Sequence, residues 1–223
     1  MDISDVGSAS RWRALFRWAT RPPKPDQEQW RRLALRLRGD LAAEGPHALM
    51  VVTPVDGPFE ARCSLELAES LADELGKPVV VVDAVPRERR LSRLLACAEL
   101  RGLTDALVEP ETPLSGIVLR TTHPNVAVVP AGIVADPAGH VAHDRLVALL
   151  EAFQRDHAVV VFSGGGLLGN GLALALAPVV DRVLLLATEN ETTSEDLAAA
   201  QESLRVRNTR DIGLVLATRS TVP

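Results

Sequence analysis

Tyrosine is absent from the 223 residues, and aromatic residues make up only 3% of the chain. Any core must therefore be mainly aliphatic, and no tyrosine of this chain can serve as a phosphate acceptor. There are only two cysteines, Cys63 and Cys97, spaced for neither a metal site nor a disulfide framework. Both read as free thiols in a reducing, cytoplasmic setting. Apolar runs are short: none reaches the ~18 residues that a membrane-spanning helix needs. The opening MDISDVGSAS lacks the basic and apolar regions of a secretory signal. Positive charge is not in excess, the formal net charge being −5, so the overall field does not favour nucleic acid. His140 and His143 stand three apart, but no Cys or carboxylate pattern completes a site around them, and no metal is expected.

What is present is 47% apolar residues arranged in a regular alternation. Residues 1–25 read as an arm. Its segment RWRALFRWAT sets Trp12, Leu15, Phe16 and Trp18 among arginines, and RPPKP follows as a stiff linker. As a helix, the segment would be basic and amphipathic, with Trp12, Phe16 and Trp18 available to a membrane surface or a partner groove. Folding back onto the domain is the plain alternative. From about Asp26, a candidate N-cap, a helix runs to Gly45. Buried strands are then expected over 48–53, 77–84, 125–132, 157–166, 181–188 and 211–218. Helices are expected over 59–76, 87–100, 144–156, 171–180 and 194–207, with a helical turn over 103–109. Continuous apolar strands alternating with helices imply a mostly parallel sheet covered on both faces, a three-layer αβα domain over 26–223. Ligands of such sheets bind at the carboxyl ends of the strands. Those ends are TPVDGPFEA, DAVPRE and SGGGLLGNG.

The segments EQWRRLALRLRGDL, TPVDGPFEARCSLELAESLA, VVVVDAVPRERR, GLTDALVEPETPLSGIVLRTTHPNVAVVPAG, VVVFSGGG and VDRVLLLATENETTSEDL span about residues 26–218. Together they resemble the tyrosine autokinase domain of bacterial capsule and exopolysaccharide systems, the CpsD/CapB-type or BY-kinase family. The resemblance implies a P-loop NTPase-like fold. The GLTDAL and VAVVPAG blocks set it apart from general MinD/ParA-like ATPases. In the family the loop after the first strand reads like P-x-P-G-E-G-K-S-T. Here Gly57 survives, Phe59 stands for the second glycine, Glu60 for the lysine, Ala61 for the magnesium hydroxyl, and Arg62 follows. A carboxylate ~4 Å from a phosphate charge repels it by about 4 kcal/mol at an effective dielectric of ~20. The family's Asp-x-Asp pair keeps Asp83 but has Val85 as its second member, and Phe162 replaces the acid of the later strand. Phosphoryl transfer depends on positioning and charge neutralisation by such groups. The resemblance thus points to a degenerate nucleotide pocket at Gly57, Phe59, Glu60, Ala61, Arg62, Asp83, Val85 and Phe162, with no catalytic residue and no cofactor. Glu60 is expected to pair with Arg62 or another base and plug that pocket. The family's ring-forming helix carries E-x-x-R-x-x-R. Glu28 and Arg31 match it, and Ala34 breaks it. A homo-oligomer contact is therefore expected at Glu28 and Arg31.

Three readings follow. The first is a non-catalytic, structural or regulatory protein of exopolysaccharide or capsule assembly, cytoplasmic or peripheral at the inner membrane. It would bind a membrane co-polymerase or an active kinase paralogue. The second is an ATP-dependent tyrosine-protein kinase or ATPase with a non-standard site on Arg62 and Asp83. The third is a MinD/ParA-like spatial regulator. Other features carry bland readings: Ser163 lacks a nucleophile's context, Cys63 and Cys97 read as packing residues, and RERR (87–90) as a solvated helix start.

Overall fold

The computed structural model describes residues 27–41, 46–57, 59–109, 111–134, 142–189 and 191–217. The arm with Trp12, Phe16 and Trp18, the Asp26 cap and His140 lie outside them.

In chain order the elements are α1 (Gln27–Leu41), β1 (His47–Thr53), α2 (Glu60–Leu75), β2 (Val79–Asp83), α3 (Arg90–Leu94), α4 (Leu103–Val108), β3 (Leu119–Arg120), β4 (Val126–Val129), α5 (His143–Gln154), β5 (Val159–Gly166), α6 (Gly171–Leu176), β6 (Arg182–Thr188), α7 (Ser194–Val206) and β7 (Ile212–Ala217). The seven strands form one sheet in the order β3-β4-β2-β5-β1-β6-β7. Every pairing is parallel except that of β3 with β4. The expected three-layer α/β architecture is what the chain adopts.

Alternation along the central strands divides the core. Leu49, Val51, Val79, Val81, Val159 and Val161 face α1, α2 and α3. Met50, Val52, Val80, Val82, Val160 and Phe162 face α4 to α7. Burial on both faces explains why these strands read as unbroken aliphatic runs.

Two expectations need correction. The helix expected over 87–100 is only Arg90–Leu94. Arg89 and Ala96 take positive φ, 50° and 55°, which breaks the helix at both ends. The Arg89 guanidinium instead donates to the carbonyls of Pro86, Ala98 and Ile133 and ties the turn down. The antiparallel β3 also escaped sequence reading, because two residues carry no period. The GLTD and VVPAG blocks prove to be one clasp. Leu103 and Thr104 N–H groups donate to the carbonyls of Pro130 and Ala131. The Asp105 Oδ2 accepts from Gly102 and Ile133 backbone N–H at 2.8 and 3.0 Å. A Cβ on Gly102 would stand 1.9 Å from the Pro130 carbonyl oxygen, so only glycine fits.

Candidate functional site at the carboxyl ends of the central strands

Three neighbouring strands end in polar residues on the α2 face. The two-residue period that turns Val79 and Val81 toward α2 also turns Asp83 there. In the same way Val159 and Val161 lead to Ser163, and Leu49 and Val51 to Thr53. Asp83 and Ser163 are register partners on β2 and β5. All three are buried: Thr53 at 5% exposure, Asp83 and Ser163 at 0%. The first residue of α2, Glu60, closes over them and is itself 0% exposed.

Glu60 is satisfied without a cation. Its Oε1 accepts from the Ser64 hydroxyl at 2.7 Å, one helical turn on, and its Oε2 from the Ser163 hydroxyl at 3.1 Å. The nearby Gly165 backbone also favours the ionised form, though less than the two hydroxyls do. Burial pushes the Glu60 carboxyl up to about 7, against the opposing pull of these hydrogen bonds, and the nearby Asp83 raises it further. The expected pairing with Arg62 does not occur. Arg62 lies on the outer side of α2, where its Nε donates to Glu66 at 2.7 Å. A residue at the helix start and one two positions on point about 200° apart around the axis, so one faces in and the other out.

Asp83 is similarly occupied. Its Oδ1 accepts from the Val85 N–H at 3.0 Å, and its Oδ2 from both the N–H and the hydroxyl of Ser92, at 2.8 and 2.6 Å. The Ser92 hydroxyl accepts in turn from the Ala131 N–H at 2.9 Å. Burial raises the Asp83 pKa, and its donors at Ser92 and Val85 oppose that.

The glycines after Ser163 let backbone fill the space beside this cluster. A Cβ on Gly166 would lie 2.5 Å from the Asp56 nitrogen, and one on Gly164 would lie 2.7 Å from Val52. Gly165 turns at φ 62° against Val85. The Gly166 N–H donates to Asp56 Oδ1 at 3.2 Å, and the Leu168 N–H to the Pro54 carbonyl at 3.1 Å. Asn170 locks the far side. Its Nδ2 donates to the carbonyls of Ala84 and Gly164 at 2.8 and 2.9 Å, while its Oδ1 caps α6.

The other sequence-marked positions scatter. Ala61, 3% exposed, packs into the core beneath α2. Phe59 is half-buried at the N-cap of α2, which has no side-chain cap. Gly57 lies in the loop with open space around it. Val85 is buried against Gly165. Phe162 does not fill the site. It packs on the opposite face of the sheet, in the core under α4 to α7. Ser163, given a bland reading from sequence, is the residue that faces Glu60, and Ser64, Ser92 and Asn170 complete the network unforeseen. Their signal was a polar residue closing an apolar period-two run, or standing four after a helix-start carboxylate. Elsewhere, Glu28 bonds Arg32, and Arg31 reaches from α1 to Glu74 on α2 at 2.7 Å. Cys63 and Cys97 are buried free thiols, each pushed up to about 12 chiefly by burial. Among the described residues no group of three or more His, Cys, Asp or Glu could hold a metal ion, and no helix is long and apolar enough to cross a membrane.

No family model and no curated protein matches the sequence. Solved structures do. The kinase domain of Escherichia coli tyrosine kinase ETK superimposes with a TM-score of 0.78 at 19% identity, over 88% of this chain and 78% of that one. The BceF tyrosine kinase domain gives 0.75 at 21% identity, over 88% and 79%. The chimerical protein CapA2B2 gives 0.76 at 15% identity, over 93% and 90%. The fold is that of the bacterial tyrosine kinase domains. The cell division ATPase MinD of Pyrococcus furiosus shares the same P-loop NTPase-like architecture at a lower TM-score of 0.59. Within that fold, this chain opens the helix after its first strand with a buried, hydrogen-bonded carboxyl group, that of Glu60.

Proposed function

We propose that this protein is a non-catalytic relative of the polysaccharide-associated tyrosine autokinases, acting by binding rather than by phosphoryl transfer. Its partner would be a membrane co-polymerase or an active kinase paralogue of exopolysaccharide or capsule assembly, met at the cytoplasmic face of the membrane. The exopolysaccharide context rests on the sequence resemblance. The supporting observation is the closed state of Glu60, whose carboxyl group is buried and held by the Ser64 and Ser163 hydroxyls. Glu60 supplies no positive charge there whether protonated or ionised, repels a phosphate when ionised, and leaves no lysine to neutralise one. The alternative of a catalytic site on Arg62 and Asp83 has less support, because Arg62 pairs with Glu66 and Asp83 is bound to Ser92 and Val85.

A thermal shift with ATP, ADP and magnesium, confirmed by calorimetry, tests the reading. A ligand at 100 times its Kd would stabilise the fold by ~2.7 kcal/mol. No shift at millimolar nucleotide is expected. A magnesium-dependent shift would overturn the proposal in favour of a nucleotide-switched protein.

A further inference from the structure

The two edges of the sheet are built differently. One ends in β3, only two residues long, antiparallel and carrying Arg120. Short strands and charge blunt an edge against further pairing. The other ends in β7, six residues of sequence IGLVLA with neither charge nor proline. Its ladder with β6 runs without a bulge from Val183↔Ile212 to Thr188↔Ala217. Among the described residues no strand pairs with its outer side, and on one face Leu214 and Leu216 are 55% and 67% exposed.

We propose that β7 pairs antiparallel with β7 of a second copy of this chain, joining two seven-stranded sheets about a two-fold axis at Val215. Self-complementarity points to a second copy. In that register Leu214 of one copy lies opposite Leu216 of the other, twice over, so four exposed leucines cover one another. The opposite face sets β-branched Val215 against Val215, which suits a sheet, and Gly213 against Ala217, which are too small to obstruct the pairing. Charge agrees. Ile212, on the leucine face of β7, packs in the same core as Leu197, Ala200 and Leu204 of α7. This helix is acidic at its start, Glu195 and Asp196, and ends with Arg205, which bonds Glu202, and with Arg207 at its C-cap. A two-fold axis runs the two α7 helices antiparallel and places acidic ends toward basic ends. Main-chain pairing supplies the attachment and the leucines supply the register. This surface is remote from Glu60 in the strand order and is independent of whether the site binds nucleotide.

The test is sedimentation of the full chain over a concentration series. The wild type is expected to form a dimer. Leu214→Glu and Leu216→Lys, both at exposed positions, are each expected to weaken it by about tenfold or more, since each change acts twice across the axis. Mixing the two variants is expected to restore dimer, because a mixed pair sets the introduced carboxylate against the introduced ammonium and keeps one leucine pair. Recovery in the mixture would exclude a mere folding defect. A wild-type monomer throughout, or a dimer indifferent to both substitutions, would overturn the proposal. So would a dimer lost on removing residues 1–25 but kept in Leu216→Lys.

Discussion

Glu60 and Ser163 meet across the junction of α2 and β5, with the serine hydroxyl donating to the carboxylate at 3.1 Å. The contact couples the start of a helix to the end of a central strand in a place closed to solvent. It also makes stability depend on pH. The folded carboxyl titrates at about 7, above its ordinary value, so the folded state holds a proton that the unfolded chain releases. Stability is therefore greatest in mild acid and falls as pH rises through 7, by up to ~3 kcal/mol for this group. Glu60→Gln keeps the shape and removes the charge. We expect its urea midpoint to exceed that of the wild type at pH 8, with the advantage disappearing near pH 5.

Reversing the charge has the opposite effect. Glu60→Lys would bury an ammonium with no carboxylate paired to it, leaving the hydroxyl oxygens of Ser64 and Ser163 as its neighbouring acceptors. An uncompensated buried charge costs about 3–5 kcal/mol. We expect lower stability and, by calorimetry, no gain in ATP affinity, because Ala61 offers no hydroxyl to magnesium.

Asp83 receives only donors. Asp83→Asn would turn an amide NH2 toward the N–H of Val85 or of Ser92. One hydrogen bond becomes a clash of donors, with an expected loss of about 1–3 kcal/mol in chemical denaturation. Unlike Glu60→Gln, it should destabilise at neutral pH. The contrast separates a carboxylate used as an acceptor from one retained at a cost.

The clasp predicts a steric outcome. Gly102→Ala would drive a Cβ into the Pro130 carbonyl and should cost about 3 kcal/mol or more. Gly116→Ala is the control. Its Cβ would sit 3.7 Å from Pro113 Cγ, an ordinary contact, and the change should stay within about 0.5 kcal/mol. Paired thermal melts check both.

Much of the architecture was legible because short, valine-rich runs such as VVVVD and ALMVVT fit strands buried on two faces by their length and β-branching. That polar side chains gather at the carboxyl ends of the central strands was legible too, since TPVDGPFEA, DAVPRE and SGGG mark those ends. The inside of the site was not. Sequence aligned Glu60 and Arg62 as neighbours, but helix geometry sends one inward and the other to Glu66. Phe162 stood at a marked position, yet the pleat turns it away and presents Ser163 instead. A single-residue difference along a strand decides which face a side chain occupies, and spacing alone does not say which of two adjacent residues looks inward. RERR read as a solvated helix start because a positive φ at Arg89, held by three carbonyls, leaves no trace in composition.

The strand order sets the timing of folding. The first strand, β1, lies between β5 and β6, so its neighbours are Val159–Gly166 and Arg182–Thr188. Neither exists until the ribosome has passed residue 159. Until then a strand with a buried aliphatic centre, Ala48–Val52, waits without a partner, and closing so long a loop is slow. The nascent chain is consequently most exposed to aggregation while its second half is being made, and α1 and α2, which cover one face of β1, are the elements available to shield it meanwhile.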